Sequence, residues 1–145
     1  MAGHLIRRLN QISTSVFQDR MRASGHDLTP VQFGCMNAIN ANPGIDQASL
    51  AGLIAHDRAT IGSVVDRLEA KGLVLRRVSA RDRRARELTL TELGRDVLEK
   101  TTPIVRAMQD DMLAGLSDAE RRDFLRLARK AADGGNDLSR APLVR

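Results

Sequence analysis

Arginine side chains crowd one short segment of this 145-residue chain. From Arg76 to Arg86 the sequence holds six arginines and one acid, Asp82, so the segment carries a formal charge of +5. The whole chain also carries +5, and the remaining residues therefore sum to zero. Guanidinium groups bind phosphate oxygens through paired hydrogen bonds. This concentration of cations predicts a surface that binds the phosphates of a nucleic acid.

The stretch before this segment, from Asp57 to Gly72, has the pattern of an amphipathic helix. Its apolar residues recur on one face: Ile61, Val64, Val65 and Leu68. The opposite face holds short polar groups and then cations: Thr60, Ser63, Arg67 and Lys71. Asp57 can cap the start, and Gly72 can end the helix in a left-handed conformation. A helix of about four turns with short side chains fits the major groove of duplex DNA.

Alternating apolar and β-branched residues flank the arginine segment at positions 73–78 and 87–91. They predict two antiparallel strands joined by a basic loop. Upstream, Asp46 predicts the start of a short helix from Gln47 to Ala55. Residues 46–71 therefore predict a helix-turn-helix, whose first helix crosses the DNA backbone while the second enters the groove.

Several of these motifs, in this order and spacing, resemble the MarR (multiple antibiotic resistance regulator) family. They are Leu28–Phe33, Leu50-Ala51, Asp66–Val74, Asp82-Arg83-Arg84 and Leu88–Gly94. The chain departs from the commoner family loop at Ser79-Ala80-Arg81, where an acidic residue and a proline often occur. The resemblance implies a mainly α fold with a small β-hairpin, a winged helix-turn-helix whose N- and C-terminal helices form a dimerisation domain. It also implies a homodimeric, DNA-binding transcriptional regulator.

The chain divides into parts around the winged helix-turn-helix, which we place at residues 28–94. Amphipathic helices are predicted over residues 4–24 and within residues 95–133, with Pro103 a kink rather than a stop. These helices have more apolar surface than one small winged helix can cover, so we expect them to dimerise. Residues 134–145 are predicted to be a flexible tail.

The second helix of the helix-turn-helix carries the candidates for base recognition. Arg58 can bind guanine through its two-donor fork, and Thr60 and Ser63 can reach base edges. Gly62, next to these, permits close approach of the duplex, and Ala59 lies on the same early turn. Arg67 could bind phosphate or could pair with Asp66 or Glu69. The alternative for each is an ordinary solvated side chain.

The loop and the first helix supply the expected backbone contacts. In the family's Asp-x-Arg loop motif, which Asp82 and Arg84 match, the carboxylate can orient the guanidinium into the narrow minor groove. A flexible charged turn is the alternative. Phosphate contacts are expected from Gln47, Ser49, Arg81, Arg83 and Arg86.

A small-molecule effector is also implied by the resemblance, in a crevice between the dimer helices and the winged domain. Its expected lining is His4, Arg7, Arg8, Gln11, Phe33, Met36 and Asn37. Arginine beside apolar groups could hold a small aromatic carboxylate or its thioester. Arg8 falls nearly on the stripe of Leu5, Leu9 and Ile12 and is therefore the more inward arginine. A salt bridge across the dimer interface is an equally good interpretation of these residues.

Other classes of site lack support in the sequence. One cysteine and three scattered histidines show no ligand spacing, so we expect no metal. No glycine-rich phosphate loop, paired nucleophile and base, or apolar carboxylate pair indicates an enzyme or a cofactor. No apolar run is long enough for a membrane span, and no signal-peptide core is present, so a cytoplasmic location is expected. Cys35 lies on an apolar helix face without a neighbouring cation, which favours a buried, inert thiol over a redox sensor.

The sequence thus predicts a repressor that leaves a pseudo-palindromic operator when a small molecule binds. Tryptophan and tyrosine are absent and phenylalanine occurs three times, which favours double-stranded DNA over single-stranded or RNA targets. The alternative is a winged-helix module that binds protein or RNA without an effector.

Overall fold

The structure is a computed structural model that describes residues 1–144. The helices are α1 (Ala2–Ala23), α2 (Pro30–Ala41), α3 (Gln47–Leu53), α4 (Arg58–Ala70), α5 (Glu92–Met112) and α6 (Asp118–Gly134). The strands are β1 (Ile45–Asp46), β2 (Val74–Val78) and β3 (Arg86–Leu90), in the antiparallel order β1-β3-β2. The mainly α architecture with a small β-wing is confirmed.

Side-chain caps start α3 and α4 where the sequence predicted them, and a further cap starts α6. Asp57 accepts a hydrogen bond from the backbone N–H of Thr60 at the start of α4, and Asp46 caps α3 in the same way. Ser117 and Glu120 form a reciprocal capping box on α6, in which the bonds from Ser117 lower the pKa of the Glu120 carboxyl. Gly72 ends α4 with a φ of +72°. Local capping chemistry therefore sets the ends of α4 and the start of α6.

Two local predictions were wrong. Helix α3 ends at Leu53 rather than Ala55, because Ala55 adopts a positive φ of 53° that no α-helix can continue. The sheet also has a third strand, β1, in which Ile45 lies opposite Leu88 of β3. Two residues are too few to show an alternating pattern, so this strand could not be recognised from the sequence. Pro103 does lie inside a continuous α5, as predicted.

One hydrophobic core lies beneath the helix-turn-helix and fixes its orientation. Ile61, Val65 and Leu68 of α4 have no exposed surface. They belong to one buried cluster with residues from α1, α2, α3, α5 and the sheet: Phe17, Met21, Cys35, Met36, Ile39, Leu50, Leu88, Leu98 and Met108. The polar face of α4 consequently points away from the body of the protein.

Helices α1 and α6 each leave apolar side chains uncovered. Exposed residues on α1 are Leu5, Ile6, Leu9 and Ile12, and exposed residues on α6 are Leu125 and Leu127. Helix α6 has no buried residue at all. These faces have no partner within residues 1–144, which is the pattern expected of helices that pack against a second chain.

The C-terminal segment, predicted to be flexible, lies against α3 as far as Val144. Residues Asn136–Leu138 form one turn of 3-10 helix. The Asn136 side chain accepts from the N–H of Leu143 at 2.8 Å and donates to its carbonyl at 3.2 Å. The N–H of Val144 then donates to the carbonyl of Gly52 at 3.0 Å. Arg145, the last residue of the predicted tail, lies outside the described residues.

No helix within residues 1–144 combines the length and apolar character needed to cross a membrane.

The junction between the wing and α5 allows a sharp stability test at Gly94. A Cβ on Gly94 would lie 2.0 Å from the carbonyl oxygen of Leu73, which itself accepts the N–H of Thr91. Gly94→Ala should therefore lower the free energy of unfolding by at least about 1–3 kcal/mol, measured by chemical denaturation.

Gly34→Ala is the matched control, because nothing lies within 4 Å of a Cβ at that position in α2. Alanine should raise the stability there by about 0.5–1 kcal/mol, through its better helix propensity. Equal stabilities of the two variants would contradict the tight junction at Gly94.

Candidate nucleic-acid interface

The starts of α3 and α4 and the wing between β2 and β3 meet around one concave surface. The cleft has a volume of about 640 Å³. Its lining residues are Asp46, Gln47, Ala48, Arg58, Arg76, Asp82, Arg84, Ala85 and Arg86. Five residues predicted from the sequence to contact DNA, Gln47, Arg58, Asp82, Arg84 and Arg86, are therefore brought together by the fold.

The outer face of α4 presents most of the predicted base-reading residues to solvent. Arg58, Ala59, Thr60, Ser63 and Arg67 are all exposed. Gly62 is only half-exposed, and a Cβ there would lie 3.3 Å from the amide nitrogen of Gln47. The absent side chain of Gly62 therefore makes room for Gln47 between α3 and α4, and the close approach of DNA there stays a prediction.

The two capping aspartates also hold hydroxyl groups. Asp57 Oδ2 accepts the Thr60 hydroxyl at 2.6 Å, and Asp46 Oδ2 accepts the Ser49 hydroxyl at 2.7 Å. These side-chain hydrogen bonds, with the backbone bonds beside them, lower the pKa of both aspartates. Each hydroxyl proton is already donated, so in this state each hydroxyl oxygen can only accept a bond from a base. Ser49 cannot donate its hydroxyl to a phosphate, as predicted for it, without leaving Asp46.

Ser79 organises the first turn of the wing, a role the sequence analysis missed. Its buried hydroxyl donates to Glu87 Oε1 at 2.8 Å and accepts the N–H of Arg81 at 3.2 Å. The only signal in the sequence is a small hydroxyl residue at the entry to a loop, a common turn former. Ser79 thus fixes the turn where the commoner family loop has an acidic residue and a proline.

Asp82 binds Arg84 by another bond than the one predicted. Its Oδ1 accepts the backbone N–H of Arg84 at 2.9 Å, and no ion pair within residues 1–144 joins that carboxylate to the Arg84 guanidinium. A side chain that bonds the backbone two residues further on stabilises the turn itself. The exposed guanidinium of Arg84 therefore remains available for the minor groove. Arg81 and Arg83 are exposed beside it, and Arg86 reaches the carbonyl of Arg83 at 3.3 Å.

Cations near the base of the wing behave differently. Asp66 and Glu69, the possible partners of Arg67, both bind Arg76 instead. The hydrogen bond to Asp66 raises the pKa of the Arg76 guanidinium further. Lys71, assigned to the outer face of α4, turns towards α2, where it bonds the Gln32 side chain at 3.2 Å and pairs with Asp27. Arg76 and Lys71 thus stabilise contacts within the protein.

Within residues 1–144, the seven residues predicted for an effector lie in three different surroundings. Met36 is fully buried in the core, and Phe33 packs edge-to-face on Phe17 with ring centroids 6.2 Å apart. Asn37 lines a different groove, between α2 and α5. His4, Arg7, Arg8 and Gln11 are exposed on α1. Met36 therefore cannot line a pocket unless the core opens.

A cleft that was not predicted lies between α1, the start of α2 and the end of α3. Its volume is about 620 Å³, and it is lined by Asn10, Thr14, Gln18, Thr29, Pro30, Val31, Gly34, Ile54 and His56. Arg7 precedes Thr14 by seven residues, about two turns, and so projects from the same side of α1. Arg8 precedes Thr14 by six residues and so projects about 120° around the helix from Thr14. Arg7, not Arg8, is the arginine on the cleft side.

Cys35 is fully buried, and burial raises the pKa of its thiol to about 12. The predicted burial is confirmed, and a thiol with so little thiolate at neutral pH is a poor nucleophile. Among the described residues, no cluster of three or more histidine, cysteine, aspartate or glutamate side chains is placed to hold a metal ion.

Known proteins share this sequence and this architecture. The MarR family model matches residues 26–85, from α2 through the wing. The transcriptional regulator HosA of Escherichia coli is 36% identical over 129 residues, which cover 89% of this chain and 93% of HosA. The chain belongs to the MarR family. The repressor NicR of Pseudomonas putida is 35% identical over 131 residues, covering 90% of this chain and 82% of NicR.

Solved structures of this family have the same fold. BpsR of Bordetella bronchiseptica, described for the regulation of its DNA binding by 6-hydroxynicotinic acid, superposes with a TM-score of 0.84 at 32% identity. The match covers 92% of this chain and 94% of BpsR. A MarR-family chain is a DNA-binding transcriptional regulator, and the concave surface described above is its candidate DNA interface.

Arg84→Ala tests the contribution of the wing. The variant should lose affinity about tenfold for specific and nonspecific duplexes alike, and the slope of log affinity against log salt should fall by about 1, because one cation that displaces counterions from the duplex is lost. Fluorescence anisotropy with labelled duplexes measures both quantities. Arg22→Ala, which removes an equal charge from the exposed end of α1, should change neither; an Arg84 variant that behaves like it would remove the wing from the interface.

Proposed function

We propose that this protein is a ligand-responsive repressor, a homodimer that binds a pseudo-palindromic operator and leaves it when a small aromatic carboxylate or its thioester binds. The observation that carries the proposal is the meeting of Arg58, at the start of α4, with Arg84 and Arg86 of the wing on one concave surface. Its place of action is then the cytoplasm, where a bacterial chromosome is found.

The interface suits a duplex because its two parts match two grooves. Helix α4 presents Thr60 and Ser63, with Arg58 at its first position, at the scale of the major groove. The wing presents Arg84 on a turn held by Ser79 and Asp82, as needed for the narrow minor groove. Arg81 and Arg83 supply phosphate attraction around that point.

Dimerisation follows from the uncovered faces of α1 and α6. Their exposed leucines and isoleucines form apolar surface that a second copy can bury. Two-fold symmetry then places two α4 helices on one side of the duplex, so the operator half-sites should lie about 10 base pairs apart. A winged-helix module that acts on protein or RNA would not need this symmetry. Sedimentation at micromolar concentration distinguishes the two functions, because the repressor must be a dimer.

The cleft beside α1 is positioned to couple a ligand to DNA binding. It lies between α1, which we assign to dimerisation, and α2 and α3, which belong to the DNA-binding part. A ligand there can release DNA only if it favours a spacing of the two α4 helices that no longer fits successive grooves.

Arg7, about one turn before Asn10 on the same side of α1, can bind a carboxylate through its two-donor fork. Asn10, Thr14 and His56 of the cleft lining offer further polar groups for ring substituents. BpsR, a relative regulated by 6-hydroxynicotinic acid, supports an aromatic acid as the ligand class.

Arg7→Ala should leave DNA affinity near the wild-type value and weaken release by the effector at least about tenfold, because the carboxylate loses its charged partner. The measurement is displacement of a labelled duplex, selected by the wild-type protein from a random-sequence pool. Aromatic acids, 6-hydroxynicotinic acid among them, and their coenzyme A thioesters are titrated into the complex. Arg8→Ala is the matched control in the same chain. If Arg8→Ala lost the response and Arg7→Ala kept it, the ligand would lie on the other side of α1.

A further inference from the structure

We propose that Arg76 is a positioning residue that locks α3, α4 and the wing into one DNA-reading unit and does not itself bind phosphate. The inference rests on the proposed DNA binding and assigns a different task to one arginine of the cationic segment.

Arg76 lies on β2, at the base of the wing, and only 19% of its side chain is exposed. Its Nη2 donates to Asp66 Oδ1 and to Glu69 Oε1, the latter at 3.3 Å. Its Nη1 donates to Gln47 Oε1, also at 3.3 Å. One guanidinium therefore connects the wing to two successive turns of α4 and to the first residue of α3.

The hydrogen bond from Arg76 to Gln47 also lies where α3 and α4 approach each other closely. The Gln47 carbonyl oxygen faces Arg76, and its amide nitrogen lies 3.3 Å from the place of a Cβ on Gly62. Gln47 is thus held between the wing and α4, in space that any side chain at position 62 would narrow. Gly62→Ala perturbs the same network without a change in charge.

Electrostatics explain why Arg76 is unsuited to a phosphate contact. Asp66 and Glu69 are partly exposed acids on the helix that faces the duplex, and Arg76 neutralises both. If Arg76 turned to a phosphate, two uncompensated carboxylates would remain beside the polyanion, which is a repulsive arrangement. The exposed arginines of the wing are not needed to balance Asp66 or Glu69.

Arginine is the side chain that this junction requires. Its rigid planar fork can bond partners on two sides at once, whereas a lysine ammonium has a single centre of charge on a flexible stem. Arg76→Lys should therefore retain the charge and lose the simultaneous connection to α3 and α4.

The test measures affinity for the selected duplex and for an unselected duplex of the same length, across about 50–200 mM salt. Arg76→Lys, which keeps a positive charge beside Asp66 and Glu69, should lose affinity for the selected duplex about tenfold or more, with little change on the unselected duplex and an unchanged salt slope. Arg76→Ala leaves both carboxylates unbalanced near the polyanion, so it should weaken both duplexes and the selected duplex more. Gly62→Ala should share this loss of discrimination. Arg77→Ala, which removes an equal charge from the exposed neighbour on the same strand, should leave the ratio of the two affinities unchanged.

The second readout is the energetic coupling between Arg76 and its two acidic partners. In an Asp66→Asn, Glu69→Gln background, Arg76→Ala should cost little further discrimination, because its charged partners are already gone. In this neutralised background, equal losses from Arg76→Ala on both duplexes with a reduced salt slope would show that Arg76 is a phosphate contact and would overturn the proposal. So would unchanged discrimination in a folded Arg76→Lys protein, which keeps the test valid if Arg76→Ala does not fold. If the wild-type protein selects no duplex, the proposed function itself fails.

Discussion

The burial of one face of α4 determines what the rest of the surface can do. Ile61, Val65 and Leu68 lie in the core with no exposed surface, and each such side chain contributes about 1.5–3 kcal/mol when removed from water. Turning the helix would expose these residues and bury Arg67, an arginine without a buried counter-ion. The rotation of α4 is therefore fixed, and Thr60 and Ser63 face outward as a consequence of what faces inward.

Charge is distributed along the cationic segment according to position. At the base of the wing, Arg76 is paired with two acids of α4. It therefore links β2 to α4, and its charge is already balanced. At the tip, the turn is held by the Ser79 hydroxyl and the Asp82 carboxylate through backbone N–H groups. The guanidinium groups of Arg81, Arg83 and Arg84 consequently remain exposed. A rigid base with free cations at the tip is the arrangement a groove-binding wing needs.

Sequence reasoning succeeded where structure is local. Asp57 and Gly72 mark the ends of α4 through contacts within a few residues, and the apolar spacing of α4 reports its buried face directly. It failed where distant segments meet: the two-residue β1, the Gln47 side chain beside Gly62, and the pairing of Asp66 with Arg76. In each of these contacts, the sequence around one partner gives no indication of the other partner.

The two faces of α1 show a separate limit of sequence patterns. This helix carries two apolar faces, one with Phe17 and Met21 for its own core and one with Leu5, Leu9 and Ile12 exposed. Periodicity alone cannot distinguish the helix face that packs in the chain's own core from the face that packs on a second chain. The sequence analysis placed Arg8 with the stripe of Leu5, Leu9 and Ile12 and expected it to contact the ligand, and that expectation stays a prediction. A protein that uses one helix for both folding and association has this ambiguity.

The central claim is that α4 and the wing read adjacent grooves and that the dimer presents them twice. Footprinting of the selected duplex tests it directly, with dimethyl sulfate for guanine N7 in the major groove and hydroxyl radicals for the minor groove. The account predicts two major-groove protections about 10 base pairs apart, each flanked by a protected minor groove. A single protected site, or minor-groove protection without any at guanine N7, would contradict it.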